Sequence, residues 1–113
     1  MIKRVFTIFI LTLLLLFNSP VYSLDTSSRN LEKYTKKISD KFTRTFCYTS
    51  KFGISYEGAL AFAIGETNKE FKNNKLNKLI DYSLLKNSIV NDLENNCQVY
   101  DFAISKLENL NFN

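Results

Sequence analysis

A chain of 113 residues with 15 basic and 11 acidic side chains, net +4, contains no histidine and only 2 cysteines. That removes the commonest general base, the commonest zinc ligand and the usual partner of a serine or cysteine nucleophile. Two separated cysteines without histidine also fall short of an ordinary structural zinc site, so no metal and no cofactor are expected.

The first 23 residues read as a cleavable signal peptide. Lys3 and Arg4 form a basic head, Val5 to Phe17 is an uncharged, largely apolar run, and Asn18-Ser19-Pro20 breaks any helix before Val21-Tyr22-Ser23. The apolar run is shorter than the ~20 residues that span a bilayer, although an uncleaved signal anchor is the alternative reading. No cysteine follows it, which argues against a lipoprotein anchor.

Residues 24–113 then form one small helical domain. A chain of that size buries only ~60–65% of the surface that its unfolded form exposes, so its stability needs support. Cys47 and Cys97, in an exported and therefore oxidising setting, are expected to form a disulfide. Closing a loop of roughly 50 residues stabilises by ~4 kcal/mol on the chain-entropy model. A redox-active pair is the alternative, but such cysteines usually sit two residues apart.

Leu31, Tyr34, Ile38, Phe42 and Phe46 recur at three- and four-residue intervals, with Arg29, Lys33, Lys37, Arg44 and Lys51 on the other side. The spacing predicts an amphipathic helix over 27–50, with N-caps at Thr26 to Ser28 and a glycine stop at Gly53. Residues 29–51 hold seven basic side chains against Glu32 and Asp40, whereas 79–113 hold only Lys86 and Lys106 against five acids. Such asymmetry orients a domain towards anionic partners. Lys33, Lys37 and Lys41 repel one another at one-turn spacing. This is tolerable for a solvated face and useful for contact with lipid headgroups or an acidic protein. The expected partner surface is therefore Arg29, Lys33, Lys37, Lys41 and Arg44.

Ser55 is placed to cap a second helix running from Tyr56 to about Asn73, with Leu60, Ile64 and Phe71 on its apolar stripe. All three glycines of the chain lie near here, at 53, 58 and 65. No Gly-Lys-Ser/Thr follows them and no strand precedes them, so they do not form a phosphate loop. Gly58, Ala61 and Gly65 instead make a small-residue ridge expected to pack against the first helix. Gly65 inside a helix costs ~1 kcal/mol relative to alanine, which calls for such a packing reason. The carboxylates are scattered; Glu57, Glu66 and Glu70 lie on or near the second helix, the last two one turn apart. They would carry an enzyme reading, but exposed helix faces hold such groups routinely.

Leu76, Leu79 and Ile80 suggest a short helical turn. Asp81 or Ser83 can cap a further helix, with Leu85, Ile89, Val90, Leu93 and Cys97 on one side. The tail alternates Tyr100, Phe102 and Ile104 as a strand would. With no partner strand in view, a short helix or extended coil is expected. Asparagine is abundant, but Asn, Lys, Ile and Phe share AT-rich codons, and its abundance is given no weight. The expected fold is all-α: a bundle of three or four helices stapled by one disulfide.

The runs "FCYTSKFGISYEGALAFAIGETNKEF" and "NNCQVYDF" resemble small exported proteins of marine picocyanobacteria over residues 38–104. The markers are Cys47, Phe52-Gly53, Ala63-Ile64-Gly65-Glu66 and Cys97. The resemblance implies a periplasmic or thylakoid-lumen location with no enzyme activity attached. The resulting expectation is a non-enzymatic binding or accessory protein meeting an acidic protein surface or a membrane face. Alternatives are a secreted membrane-active effector, or an enzyme using carboxylates of the second helix. Neither nucleic acid nor a small-molecule substrate is expected.

Overall fold

The structure, a computed structural model, describes residues 28–112. The expected signal peptide and the start of the first helix lie outside those residues. The chain divides into two compact units, Met1–Glu32 and Lys33–Asn113. Of the first, residues 28–32 are described, and they are helical. The second unit carries the bundle.

Helix α1 covers the helical residues 28–51, those from Lys33 onward lying in this unit. Tyr34, Ile38, Phe42 and Phe46 are buried, as the three- and four-residue spacing requires. The helix closes through Phe52 N–H to Thr49 O and Gly53 N–H to Ser50 O, and Gly53 adopts φ +78°. A Cβ there would meet nothing within 4 Å, so the backbone angle is what calls for glycine.

Helix α2 is Tyr56–Phe71, capped by Ser55, whose Oγ accepts the Gly58 N–H at 3.2 Å. It stops two residues short of the expected Asn73, which takes a left-handed φ of 67° in the turn beyond. The buried residues are Ala59, Leu60, Ala63, Thr67 and Phe71, and Ile64 lies only half-buried. A 3₁₀ turn, Lys75–Leu79, comes next, capped by the Asn74 side chain. Helix α3 is Tyr82–Cys97. Of the two candidate caps it uses Asp81, whose Oδ1 accepts from Ser83 and Leu84 N–H. Leu85, Ile89 and Leu93 are buried, while Val90 and Cys97 are half-buried.

The tail is extended from 98 to 103 and then makes a 3₁₀ turn, Ile104–Leu107. No strand occurs among the described residues. Phe102, Leu107, Leu110 and Phe112 enter the core, whereas Tyr100 and Ile104 stay at the surface. The alternation is therefore not a strand signal but a single inward anchor at Phe102. The result is the expected all-α bundle of three helices, with the tail laid along it. Cys47 and Cys97 form the expected disulfide across a sequence separation of 50, with Cα atoms 5.7 Å apart. It joins the C-terminal ends of α1 and α3. Further along the same pair of helices, Ser39 Oγ donates to Asp92 Oδ2 at 2.5 Å, and Ser88 Oγ lies 3.4 Å from Ser39 Oγ.

Each end of the bundle has its own aromatic cluster. At the disulfide end, Phe46 meets Phe42, Tyr56 and Phe102 at ring separations of 6.3, 5.6 and 5.9 Å. At the other, Phe71 meets Tyr34 and Phe112 at 5.7 and 6.1 Å, and Tyr82 stacks on Phe112 at 5.9 Å. Asn77 lies buried in that second cluster. Its Oδ1 accepts the Tyr34 hydroxyl at 2.6 Å, and its Nδ2 donates to the carbonyls of Phe71 and Phe112. Asn68 likewise holds the tail, donating to Asn109 O and accepting from Asn111 N–H. Asparagines given no weight in the sequence are thus the fasteners of this end.

Candidate functional site: a basic and aromatic corner

On α1 the cations form one face. Lys33, Lys37, Lys41 and Arg44 succeed one another at intervals of four, four and three, and Tyr48, Lys51 and Phe52 continue the same rows. Lys33, Lys37, Arg44 and Lys51 are exposed. Lys41 is half-buried and reaches Glu70 of α2, Nζ to Oε2 3.4 Å. Arg44 donates from Nε to the backbone carbonyl of Asp40 at 3.3 Å. Arg29 is exposed but belongs to the first unit, so the site is built without it.

The small-residue ridge requires a correction. Ala61 is exposed, and a Cβ on Gly65 would meet nothing within 4 Å. The small side chains facing the core are Ala59 and Ala63, both fully buried. Both sets satisfy a small-residue spacing, and the bulky neighbours Leu60 and Phe71 turn the second set inward. Gly58 is tight for a different reason. A Cβ there would lie 3.0 Å from Ile54 Cγ2 and 3.2 Å from Ser55 Oγ, so it admits the capping loop rather than another helix.

That outward-facing side of α2 meets a feature that sequence reasoning missed. Tyr48, Phe52, Ile54 and Phe62 are 66%, 69%, 49% and 51% exposed, and the Tyr48 and Phe52 rings lie 4.9 Å apart. They come from the end of α1, the turn and α2, and they wall a groove of about 500 Å³ floored by Thr49 and Gly58. A second depression of about 660 Å³ adjoins it, sharing Tyr48, Thr49 and Phe62 and bringing in Lys41, Arg44, Lys51 and Glu66. The signal was available: Tyr48, Phe52 and Phe62 are large apolar residues that fall off the buried stripes of their helices.

The carboxylates are divided among partners. Glu57 pairs with Lys106 at 3.8 Å, Glu70 pairs with Lys41, and Glu66 lines the basic depression. Among the described residues no group of three or more His, Cys, Asp or Glu side chains could hold a metal ion. Tyr56, beside Glu57, has its phenol pushed above the usual range, first by burial and then by the neighbouring carboxylate. Among the described residues no helix is long and apolar enough to cross a membrane. Comparison with protein-family models, curated proteins and solved structures gave no match.

Proposed function

We propose that this chain is an exported, non-enzymatic accessory protein that binds an anionic membrane face through α1 and the corner where α1 turns into α2. The observation that carries this reading is the pairing of four exposed apolar side chains with Lys41, Arg44 and Lys51 around adjoining depressions. Aromatic side chains sit favourably at a membrane–water interface, and each Lys or Arg held near an anionic surface adds ~1 kcal/mol. An acidic protein would satisfy the cations but leave Phe52 and Phe62 to be covered by some further apolar patch. The disulfide fits an oxidising compartment outside the cytoplasm. The resemblance to picocyanobacterial exported proteins points to the periplasm or the thylakoid lumen.

Sedimentation with vesicles tests the reading. The protein should pellet with vesicles rich in phosphatidylglycerol and not with neutral phosphatidylcholine vesicles. The combined change Lys33→Glu, Lys37→Glu and Arg44→Glu spares the Lys41–Glu70 pair and should weaken binding by more than 100-fold. Unchanged sedimentation of that variant, with its helical content intact, would sink the proposal. Capture of an acidic protein without any vesicle binding would transfer the role to a protein partner. Leakage of trapped dye would favour a membrane-active effector.

A further inference from the structure

We infer that the corner is a stoichiometric binding site for one single-chain anionic amphiphile, its chain in the apolar groove and its headgroup among the neighbouring cations. The inference rests on the membrane-face reading and deepens it by naming the lipid chemistry.

Three observations lead there. First, the groove walls are apolar and come from three separate segments, whereas adsorption to a bilayer needs only one convex face. Second, very little of the groove lining is polar. Gly58 has no side chain, and the Thr49 hydroxyl already donates to Thr45 O at 2.6 Å. Third, the adjoining depression adds charged side chains to a lining that is still largely apolar. The Thr45 hydroxyl is held by Lys41 O at 2.7 Å and Lys41 itself is paired with Glu70, which leaves Arg44 and Lys51 against a single carboxylate, Glu66. Tyr48 and Phe62 are walls of both spaces, so a ligand lying across them meets apolar and cationic surroundings within its own length. The groove volume of about 500 Å³ falls within the range of small-molecule clefts, roughly 300–1,000 Å³. Charge complementarity selects the headgroup: a phosphate or carboxylate, not an uncharged sugar or a choline.

The probe is dodecyl phosphate, titrated into the oxidised protein below its micelle-forming concentration and followed by calorimetry and by amide chemical shifts. Saturable one-to-one binding is expected, with shifts concentrated at Phe52, Ile54 and Phe62. Each methylene removed, in the decyl and octyl homologues, should weaken binding about fourfold. Phe62→Glu, at a half-exposed position, should weaken it at least 10-fold. Lys51→Glu should weaken dodecyl phosphate selectively over dodecyl maltoside, and Glu66→Gln should tighten it. Inorganic phosphate alone should not saturate the site. Affinity independent of chain length, or phosphate binding as tightly as its dodecyl ester, would overturn the inference. Vesicle binding without monomer binding would overturn it while leaving the membrane-face reading in place. Loss of both would remove the two together.

Discussion

The two ends of the bundle close by different means. Where α1 meets α2, a covalent bond between Cys47 and Cys97 holds α1 to α3, and Phe46 gathers Phe42, Tyr56 and Phe102 nearby. At the end where α2 leads to α3, the disulfide is replaced by Asn77, which ties Tyr34, Phe71 and Phe112 together through buried hydrogen bonds. The covalently closed end is also the one that exposes Tyr48, Phe52, Ile54 and Phe62. The hydrogen-bonded end also exposes apolar residues, Leu79 and Leu84 at 63% and 64%. What differs is the fastener: the disulfide holds whether or not water reaches it, whereas the bonds of buried Asn77 are strong only while water is kept out.

The contrast can be broken at either end. The largest effect is expected from Cys47→Ser with Cys97→Ser, which restores the loop entropy of the unfolded chain and should lower stability by about 4 kcal/mol. Chemical denaturation would measure it, and a loss under about 1 kcal/mol, a quarter of that expected entropy term, would mean that the aromatic cluster alone closes that end. Next comes Asn77→Leu. It strands the Tyr34 hydroxyl and the Phe71 carbonyl in a buried site, while the Phe112 carbonyl keeps the Asn73 N–H; at ~1–3 kcal/mol for each unsatisfied group before relaxation, a net loss of about 3 kcal/mol is expected. Amide exchange should speed up at the Asn77 end first and spare the disulfide end; uniform acceleration would contradict the division.

The smallest effect is alkaline. Burial, followed by repulsion from Tyr82, raises the Tyr34 phenol above its ordinary value, and Tyr56 at the other end is raised as well. A raised acid stays neutral longer in the folded state than in the unfolded one. Both tyrosines therefore contribute stability that is intact below about pH 10 and lost as pH rises through their native pKa values. Because the disulfide does not titrate in this way, the Asn77 end should open first. Exchange-sensitive spectra recorded stepwise above about pH 10, the ordinary phenol value, would show this, and earlier opening at Tyr56 would reverse the order.

Much of the fold was legible because its signals are local. The stripe Tyr34, Ile38, Phe42, Phe46 sits within one helix, Ser55 lies three residues from the amide that it caps, and Gly53 marks its own turn. The disulfide needed only two cysteines and a compartment. Asn77 was illegible for the opposite reason: its partners Phe112 and Tyr34 are 35 and 43 residues away, and nothing local separates it from Asn73 or Asn74. The basic half of the candidate site could be read from the lysine spacing. Its aromatic half left a fainter signal: Tyr48, Phe52 and Phe62 fall off the buried stripes, but for Phe62 this becomes decisive only once buried Ala59 and Ala63 show which side of α2 faces inward.

The disulfide also changes what a cut in the backbone means. Cys47 and Cys97 enclose α2, the 3₁₀ turn and α3 in one covalent ring, from which α1 and the tail extend as arms. A protease would find the exposed turn at Phe52-Gly53 inside that ring. Hydrolysis there adds one water and opens the ring to a line, but it releases no fragment. The molecule can therefore be nicked beside its basic and aromatic corner and still migrate, under non-reducing conditions, as one piece.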